Sequence, residues 1–350
     1  MINEYVIEGL FLTQRITGIQ RYAYEITMEL DKLVQKNELE IIVPQSIRKI
    51  PDFKNIKVIK YGKHDGILWQ QLDVPRYLRK SKKKGIFFTN ILPLFYAKGI
   101  IAIHDVSYKA NPQFFTSKRD RVSALWHRIN YWRAAHSNME IVTVSDFSKS
   151  EIVKYYHVNS ERITVVYNAW QHMNRIKAAE DTFEKYSYLE KDNYFFSMST
   201  LAPNKNFKWI LEAARQNPNE IFAIAGGGKL KETADESGYK NLKNVFFLGY
   251  VSDKDAKILM ANCKAFIFPT LYEGFGIPPL EAIACGAKRV MVSDTPCMHE
   301  IYGNEVGYIN INVNNIGKDE LNNTDNEIEN ILEKYSWKKS AKEILQILQR

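Results

Sequence analysis

The chain has 350 residues, of which 45% are hydrophobic and 25% charged, and it carries a formal net charge of +8. That length suits two domains better than one, the composition is that of ordinary globular proteins, and no run of 18 apolar residues is present to form a membrane-spanning helix. The basic excess fits nucleic acid, anionic lipid or phosphorylated ligands, but no nucleic-acid recognition motif accompanies it, so no nucleic-acid partner is expected.

The N-terminus has acids where a signal peptide would be basic and lacks a small-residue cleavage site, so no signal peptide is expected. Apolar runs at 5–12, 40–44, 56–61, 86–89, 100–104, 141–144 and 163–167 predict strands. After the first comes Thr17-Gly18-Ile19-Gln20-Arg21, a loop glycine followed by a helix. There Gly18 would let a ligand lie against backbone, with the helix N-terminus facing phosphate; a plain capping turn is the alternative. His104, followed by Asp105, ends the strand at 100–104. The longest helical pattern is 117–136, where Val122, Leu125, Trp126, Ile129 and Trp132 recur at helical spacing. Its apolar side reads most simply as core. Its bases Lys118, Arg119, Arg121, Arg128 and Arg133, with the basic run 79–84, offer an anionic membrane a surface to rest on.

The second half repeats the arrangement, with strands expected at 194–198, 221–225, 245–248, 265–268 and 288–292 and helices at 207–217, 253–262 and 278–285. Strands alternating with helices argue for parallel sheets of βαβ units. The polar stretch 171–192 marks a domain boundary, giving domains 1–172 and 173–336. The run 337–350 reads as a separate amphipathic helix, for which packing back on the N-terminal domain is one arrangement. Two such halves are expected to face each other across a cleft, with ligands at the carboxyl ends of the strands. The three cysteines, Cys263, Cys285 and Cys297, form no CxxC pair and read as reduced apolar fillers.

Three stretches of the second half sit where a ligand would. In 199–206, STLAPNKN, Lys205 follows a strand and precedes a helix, and a cation there suits a diphosphate. Ala225-Gly226-Gly227-Gly228-Lys229 looks like a phosphate loop but is neither a Walker motif nor GxGxxG, and Gly249-Tyr250-Val251 follows the next strand. The strongest is 268–286, FPTLYEGFGIPPLEAIACG. A buried strand ends at Pro269, glycines 274 and 276 allow close approach, and Pro278-Pro279 open a helix whose N-terminus offers N–H groups and partial positive charge to an anion. Glu273 and Glu281 beside such a phosphate site would accept hydrogen bonds from the hydroxyls of a sugar nucleotide. Asp253-Lys254-Asp255 has the form of a metal-binding DxD, but Ser252 precedes it as an N-cap and acids favour a first helical turn; no metal site is expected.

EGFGIPPLEAIACG resembles the EX7E signature of family 4 retaining glycosyltransferases of GT-B fold, and other stretches agree with that family in order and spacing across nearly the whole chain. The resemblance implies two Rossmann-like doubly wound domains facing a central cleft, the N-terminal one binding acceptor and the C-terminal one the nucleotide sugar. It implies that Glu273 contacts the donor sugar, Glu281 the ribose, and Lys205 neutralises the departing nucleotide. Gly18, Thr200, Asn204, Gly226, Tyr250, Val251, Gly274, Phe275, Gly276 and Ile277 become donor-site candidates. His104 matches the family's His-Asp pair and joins Glu273 and Lys205 as a catalytic candidate; Gln20, Arg21, Asp105 and Tyr108 are the acceptor-side candidates. The stretches VTVSDFSK, 142–149, and VVYN, 165–168, match family stretches that shape the cleft floor. The family often pairs its lysine with an arginine a few residues earlier; Thr200 stands there instead, and Arg15 or Arg21 is the candidate replacement. The implied reaction moves a hexose-type sugar from a GDP- or UDP-linked donor to a glycan hydroxyl, with retention and without metal or other cofactor. A basic surface resting on anionic membrane, if 117–136 and 79–84 form one, would fit bacterial surface polysaccharide (O-antigen or capsule) assembly on a lipid-diphosphate-linked glycan; a cytoplasmic enzyme is expected, with peripheral attachment to the inner face of the membrane as one arrangement. A sugar-nucleotide epimerase of the same fold is the alternative, and a basic nucleic-acid binder the distant one.

Overall fold

Short strands rich in Val, Ile and Phe, most of them buried on both faces, favour parallel sheets covered by helices. The computed structural model has this form. It describes residues 2–200, 202–227, 239, 241–312, 316–317, 321, 328 and 330–350, so Leu201, Gly228 and Lys229 of the two loops singled out above lie outside the described residues. The chain divides into two compact units, Met1–Asn168 with Ser336–Arg350, and Ala169–Tyr335.

The first unit holds β1 (Tyr5–Glu8), β2 (Glu40–Val43), β3 (Lys57–Lys60), β4 (Lys84–Phe87), β5 (Gly99–Ala102), β6 (Glu140–Thr143) and β7 (Ile163–Val165). They form one sheet of order β3-β2-β1-β4-β5-β6-β7 in which every pairing is parallel. The second holds β8 (Tyr194–Met198), β9 (Ile221–Ala225), β10 (Val245–Gly249), β11 (Ala265–Phe268), β12 (Val290–Ser293) and β13 (Gly307–Ile309). Its order is β10-β9-β8-β11-β12-β13, again all parallel. In each sheet the winding reverses beside the first strand, between β1 and β4 and between β8 and β11. That reversal is the topological switch point at which open α/β sheets bind ligands.

Several limits differ from the sequence reading. The run 5–12 breaks after Glu8, because Gly9 turns the chain and Leu10–Thr13 forms a 3-10 turn. The edge strand β13 and the helices Asp146–Tyr156 and Pro296–Tyr302 were not anticipated; a three-residue strand shows no alternation. The larger correction concerns the helix Lys118–Ala135. Its core face is Ala124, Tyr131, Ala134 and Ala135, whereas Val122, Leu125, Ile129 and Trp132, four of the five residues of the stripe expected to be core, are exposed by 70%, 58%, 39% and 55%, and Trp126 is half-buried. The helix is apolar on two opposite faces, and periodicity cannot say which of the two is covered.

The C-terminal helix Trp337–Gln349 belongs to the first unit, where it packs along the helix Gly18–Leu33. Trp337 lies edge-on to Tyr22, with ring centroids 6.2 Å apart, and the Ser340 hydroxyl donates to the Tyr167 carbonyl at 2.6 Å. Burial pushes the thiols of Cys263 and Cys285 up to about 12, so neither is a thiolate at neutral pH.

Glu8, at the carboxyl end of β1, is buried; it accepts from the Leu10 N–H at 2.9 Å and the Gln70 amide at 3.2 Å. Burial outweighs those hydrogen bonds and raises its carboxyl from 4.5 to about 7. The folded chain therefore keeps a proton that the unfolded chain releases. The neutral acid's contribution is complete below the unfolded value and is lost as pH rises through about 7. Glu8→Gln should flatten the urea midpoint between about pH 5 and pH 8, with the gain at the alkaline end. Equal pH slopes for variant and wild type would show that Glu8 is already ionised in the fold.

Candidate active site

In the second unit β8 and β11 are neighbours, with Ala265 opposite Phe195 and Phe266 opposite Phe196. The loops leaving their carboxyl ends, 199–206 and 269–276, are therefore side by side at the switch point. The chain knits them together. The Asn204 carbonyl accepts from the Leu271 N–H at 2.7 Å and the Thr270 hydroxyl at 2.9 Å, while the Asn204 amide donates to the Tyr272 carbonyl at 3.0 Å. Lys205 ends the 3-10 turn Pro203–Lys205, and its ammonium forms an ion pair with Glu273. The same Glu273 oxygen accepts from the Thr270 hydroxyl at 2.7 Å. The Lys205 ammonium also stands 5.4 Å from the centre of the Phe268 ring. Both side chains of the pair are mostly covered, at 17% and 13% exposure, so their attraction is less screened than that of a surface pair.

Glu273 is held four residues before the helix Ile277–Cys285, which Gly276 starts in the left-handed region at φ +81°. That conformation demands glycine, and a Cβ there would also push the Met298 methyl, 2.8 Å away, aside. The Tyr302 hydroxyl donates to the Gly276 carbonyl and accepts from the Leu280 N–H at 3.1 Å. Pro278 and Pro279 have no N–H to give. The expectation that the helix's first turn would present a set of N–H groups is thus corrected: the start of the helix offers the amides of Gly276 and Ile277. Glu281, half-buried on the same helix, accepts from His172 Nε2 at 2.8 Å when that nitrogen carries the proton. His172 is buried in the 3-10 turn Gln171–Arg175. Sequence reasoning missed it, because it falls in the polar stretch taken as a boundary and no local pattern points from it to Glu281.

The other donor candidates of this unit divide by exposure. Gly226 donates its N–H to the Gly249 carbonyl at 2.8 Å, joining the ends of β9 and β10, and Tyr250 beside it is 66% exposed. Thr200 is exposed at the end of β8, and Asn204 holds the loops together as described. Gly274 is covered, and Val251, Phe275 and Ile277 are core side chains; Phe275 packs edge-on against Tyr335 at 5.2 Å. Those three can contribute backbone or support, not side-chain contact. Asp255 accepts from the hydroxyls of Ser252 at 2.7 Å and Thr182 at 3.0 Å and pairs with Lys185 at 3.3 Å, so it serves the start of its own helix. Among the described residues no group of three or more His, Cys, Asp or Glu is placed to hold a metal ion.

In the first unit, His104 follows β5 and is buried. Its Nε2 donates to the Phe88 carbonyl at 2.9 Å, its backbone N–H donates to the Asn90 side chain at 3.0 Å, and its ring stands edge-on to Tyr22 at 4.8 Å. Burial lowers its pKa to about 4, so the ring is neutral at pH 7 and a poor base. Through these bonds His104 ties the ends of β4 and β5. Asp105 accepts from the Ser107 N–H at 2.8 Å. Tyr108 is stacked between Phe115 and His127. Gln20, half-buried in the first turn after the exposed Gly18, accepts from the Thr17 hydroxyl and donates to Gln14 at 2.9 Å. Arg21, also half-buried, donates its backbone N–H to the Thr17 carbonyl at 2.8 Å.

Residues 179–318 match the family model described as glycosyl transferases group 1. The O-antigen chain mannosyltransferase B of Escherichia coli is 28% identical over 323 residues, 82% of this chain and 81% of that protein. The O-antigen chain mannosyltransferase RfbU of Salmonella typhimurium is 31% identical over 216 residues, 60% of this chain and 56% of that one. Among solved structures, Anabaena Alr3699/HepE in complex with UDP-glucose superposes with a TM-score of 0.68 at 16% identity, over 99% of both chains, a likeness of fold.

Proposed function

We propose that this chain, whose residues 179–318 match the group 1 glycosyl transferase model, is a glycosyltransferase of GT-B fold that transfers a mannosyl or related hexosyl group. The donor is a GDP- or UDP-sugar, and the acceptor is a hydroxyl of a lipid-diphosphate-linked glycan in surface polysaccharide assembly. The O-antigen mannosyltransferases among its relatives support the sugar and the setting. The observation that carries the reading is the Lys205–Glu273 pair at the switch point between β8 and β11, where an open α/β sheet binds its ligand.

In this reading the bond between the sugar's anomeric carbon and the diphosphate oxygen breaks, and its electrons go to the phosphate. Lys205 and the amides of Gly276 and Ile277 stabilise that charge. Glu273 accepts from the sugar hydroxyls and Glu281 from the ribose, with His172 fixing the Glu281 carboxylate. The acceptor oxygen attacks on the face the phosphate leaves, so configuration is retained, and the departing phosphate takes the acceptor proton. The enzyme works at the cytoplasmic face of the membrane. Titration calorimetry with GDP-mannose and with UDP-, dTDP- and ADP-sugars tests the donor. Binding of one sugar nucleotide, followed by sugar transfer, is expected; no binding to any would overturn the reading.

Metal is not required in this scheme, because Lys205 and the amides carry the leaving-group charge and Asp255 is committed to its helix start. Excess EDTA should leave the initial rate unchanged. A rate that collapses and returns with Mn²⁺ would bring Asp253 and Asp255 back as ligands.

A further inference from the structure

Thirteen large apolar side chains stand exposed among the described residues, and nine of them lie on three segments of the first unit, which makes a patch rather than scatter. The segments are the helical run 66–81, the loop 91–95 and the helix Lys118–Ala135. Hydrogen bonds fasten the loop to both neighbours. On one side the Gln71 amide accepts from the Leu94 N–H at 2.8 Å and donates to the Leu92 carbonyl at 3.3 Å, and Arg79 donates to the Phe95 carbonyl. On the other, Asn130 accepts from the Leu92 N–H at 2.9 Å and Arg133 donates to the Pro93 carbonyl at 3.0 Å. Phe95, 77% exposed, is thus presented by a loop fastened to the segment that carries the exposed Leu68 and Leu72 and to the helix that carries the exposed Ile129 and Trp132.

Charge selects the partner. Arg76, Arg79 and Lys80 accompany the first segment, and Lys118, Arg119, Arg121, Arg128 and Arg133 the third; the acids of these segments are Asp73, which is buried, and Asp120. At about 100° per residue, Arg121 and Arg128 fall on one side of the exposed stripe and Arg119 and Arg133 on the other. A second copy docking on this face about a two-fold axis would bring like charges together. An anionic bilayer instead takes apolar side chains between its headgroups and bases against its phosphates.

We propose that the face formed by 66–81, 91–95 and Lys118–Ala135 docks on an anionic lipid surface, with Phe95 and Trp132 entering the headgroup layer. The face needs nothing from the second unit, so it stands or falls apart from the donor chemistry. The test uses the full chain with vesicles of pure phosphatidylcholine and of equal parts phosphatidylcholine and phosphatidylglycerol. Sedimentation with the anionic vesicles only is expected, reversed in about 1 M salt, where the screening length is about 3 Å. The variant Phe95→Ala/Trp132→Ala should bind at least tenfold more weakly, and Arg119→Glu/Arg121→Glu should lose the preference for anionic lipid. Both variants alter exposed side chains, and unchanged melting temperatures check their folding. No binding of wild type to either vesicle overturns the assignment, as does equal binding by wild type and the Phe95/Trp132 variant. Self-association that the same substitutions abolish would also overturn it, giving the face to a second copy.

Discussion

Lys205→Ala should lower turnover by about 10²–10³, with a smaller loss in donor affinity. The ammonium is paired with Glu273 before any donor arrives. Donor binding has to share it, which limits its contribution to the ground state. Negative charge on the departing diphosphate grows as the bond to the sugar breaks, so the lysine gives most in the transition state, where such an interaction raises turnover. Removing it also leaves the Glu273 carboxylate with the Thr270 hydroxyl alone from this pair of neighbours, and that carboxylate then repels the phosphate it sits beside. Lys205→Arg keeps the charge and should recover part of the rate. Initial rates against donor concentration separate kcat from KM. A kcat within about twofold of wild type would remove Lys205 from the leaving-group role.

Much of this site was legible because it is local in sequence. The limits of β8, β9 and β11 follow from runs of buried apolar residues, and the loops after β8 and β11 announce themselves by Lys205 before a helix and by Gly276 before two prolines. What the sequence could not convey depends on pairings across long separations. That Lys205 meets Glu273 follows only once β8 is seen beside β11, and that His172 meets Glu281 has no local sign at all. The prolines were read correctly as opening a helix, yet their missing N–H groups reduce the anion site that the same helix was expected to supply. Tyr302, which takes up the Leu280 N–H, is a further long-range partner. The helix Lys118–Ala135 failed for another reason: both of its stripes are apolar, and burial is a property of neighbours.

Trp337→Ala should cost the first unit about 3–5 kcal/mol, the range for deleting a large aromatic from a closed core. The side chain is 1% exposed, and its ring packs on Tyr22, which is itself fully buried and stands edge-on to both Phe88 and His104. The cavity would therefore open beside Tyr22, whose ring backs the histidine that ties β4 to β5, and Tyr22 sits on the helix Gly18–Leu33, which has little freedom to close the gap. The helix Trp337–Gln349 is contributed from the far end of the chain, so the first unit is complete only after the second has been synthesised. Hydrogen exchange gives the discriminating readout. Amides of β1 and β4 should exchange faster in the variant, while those of β8 and β11 should keep their wild-type rates. A change below about 1 kcal/mol in the first unit would mean that the helix rests on the surface rather than completing the core. Equal acceleration in both units would mean that they unfold as one.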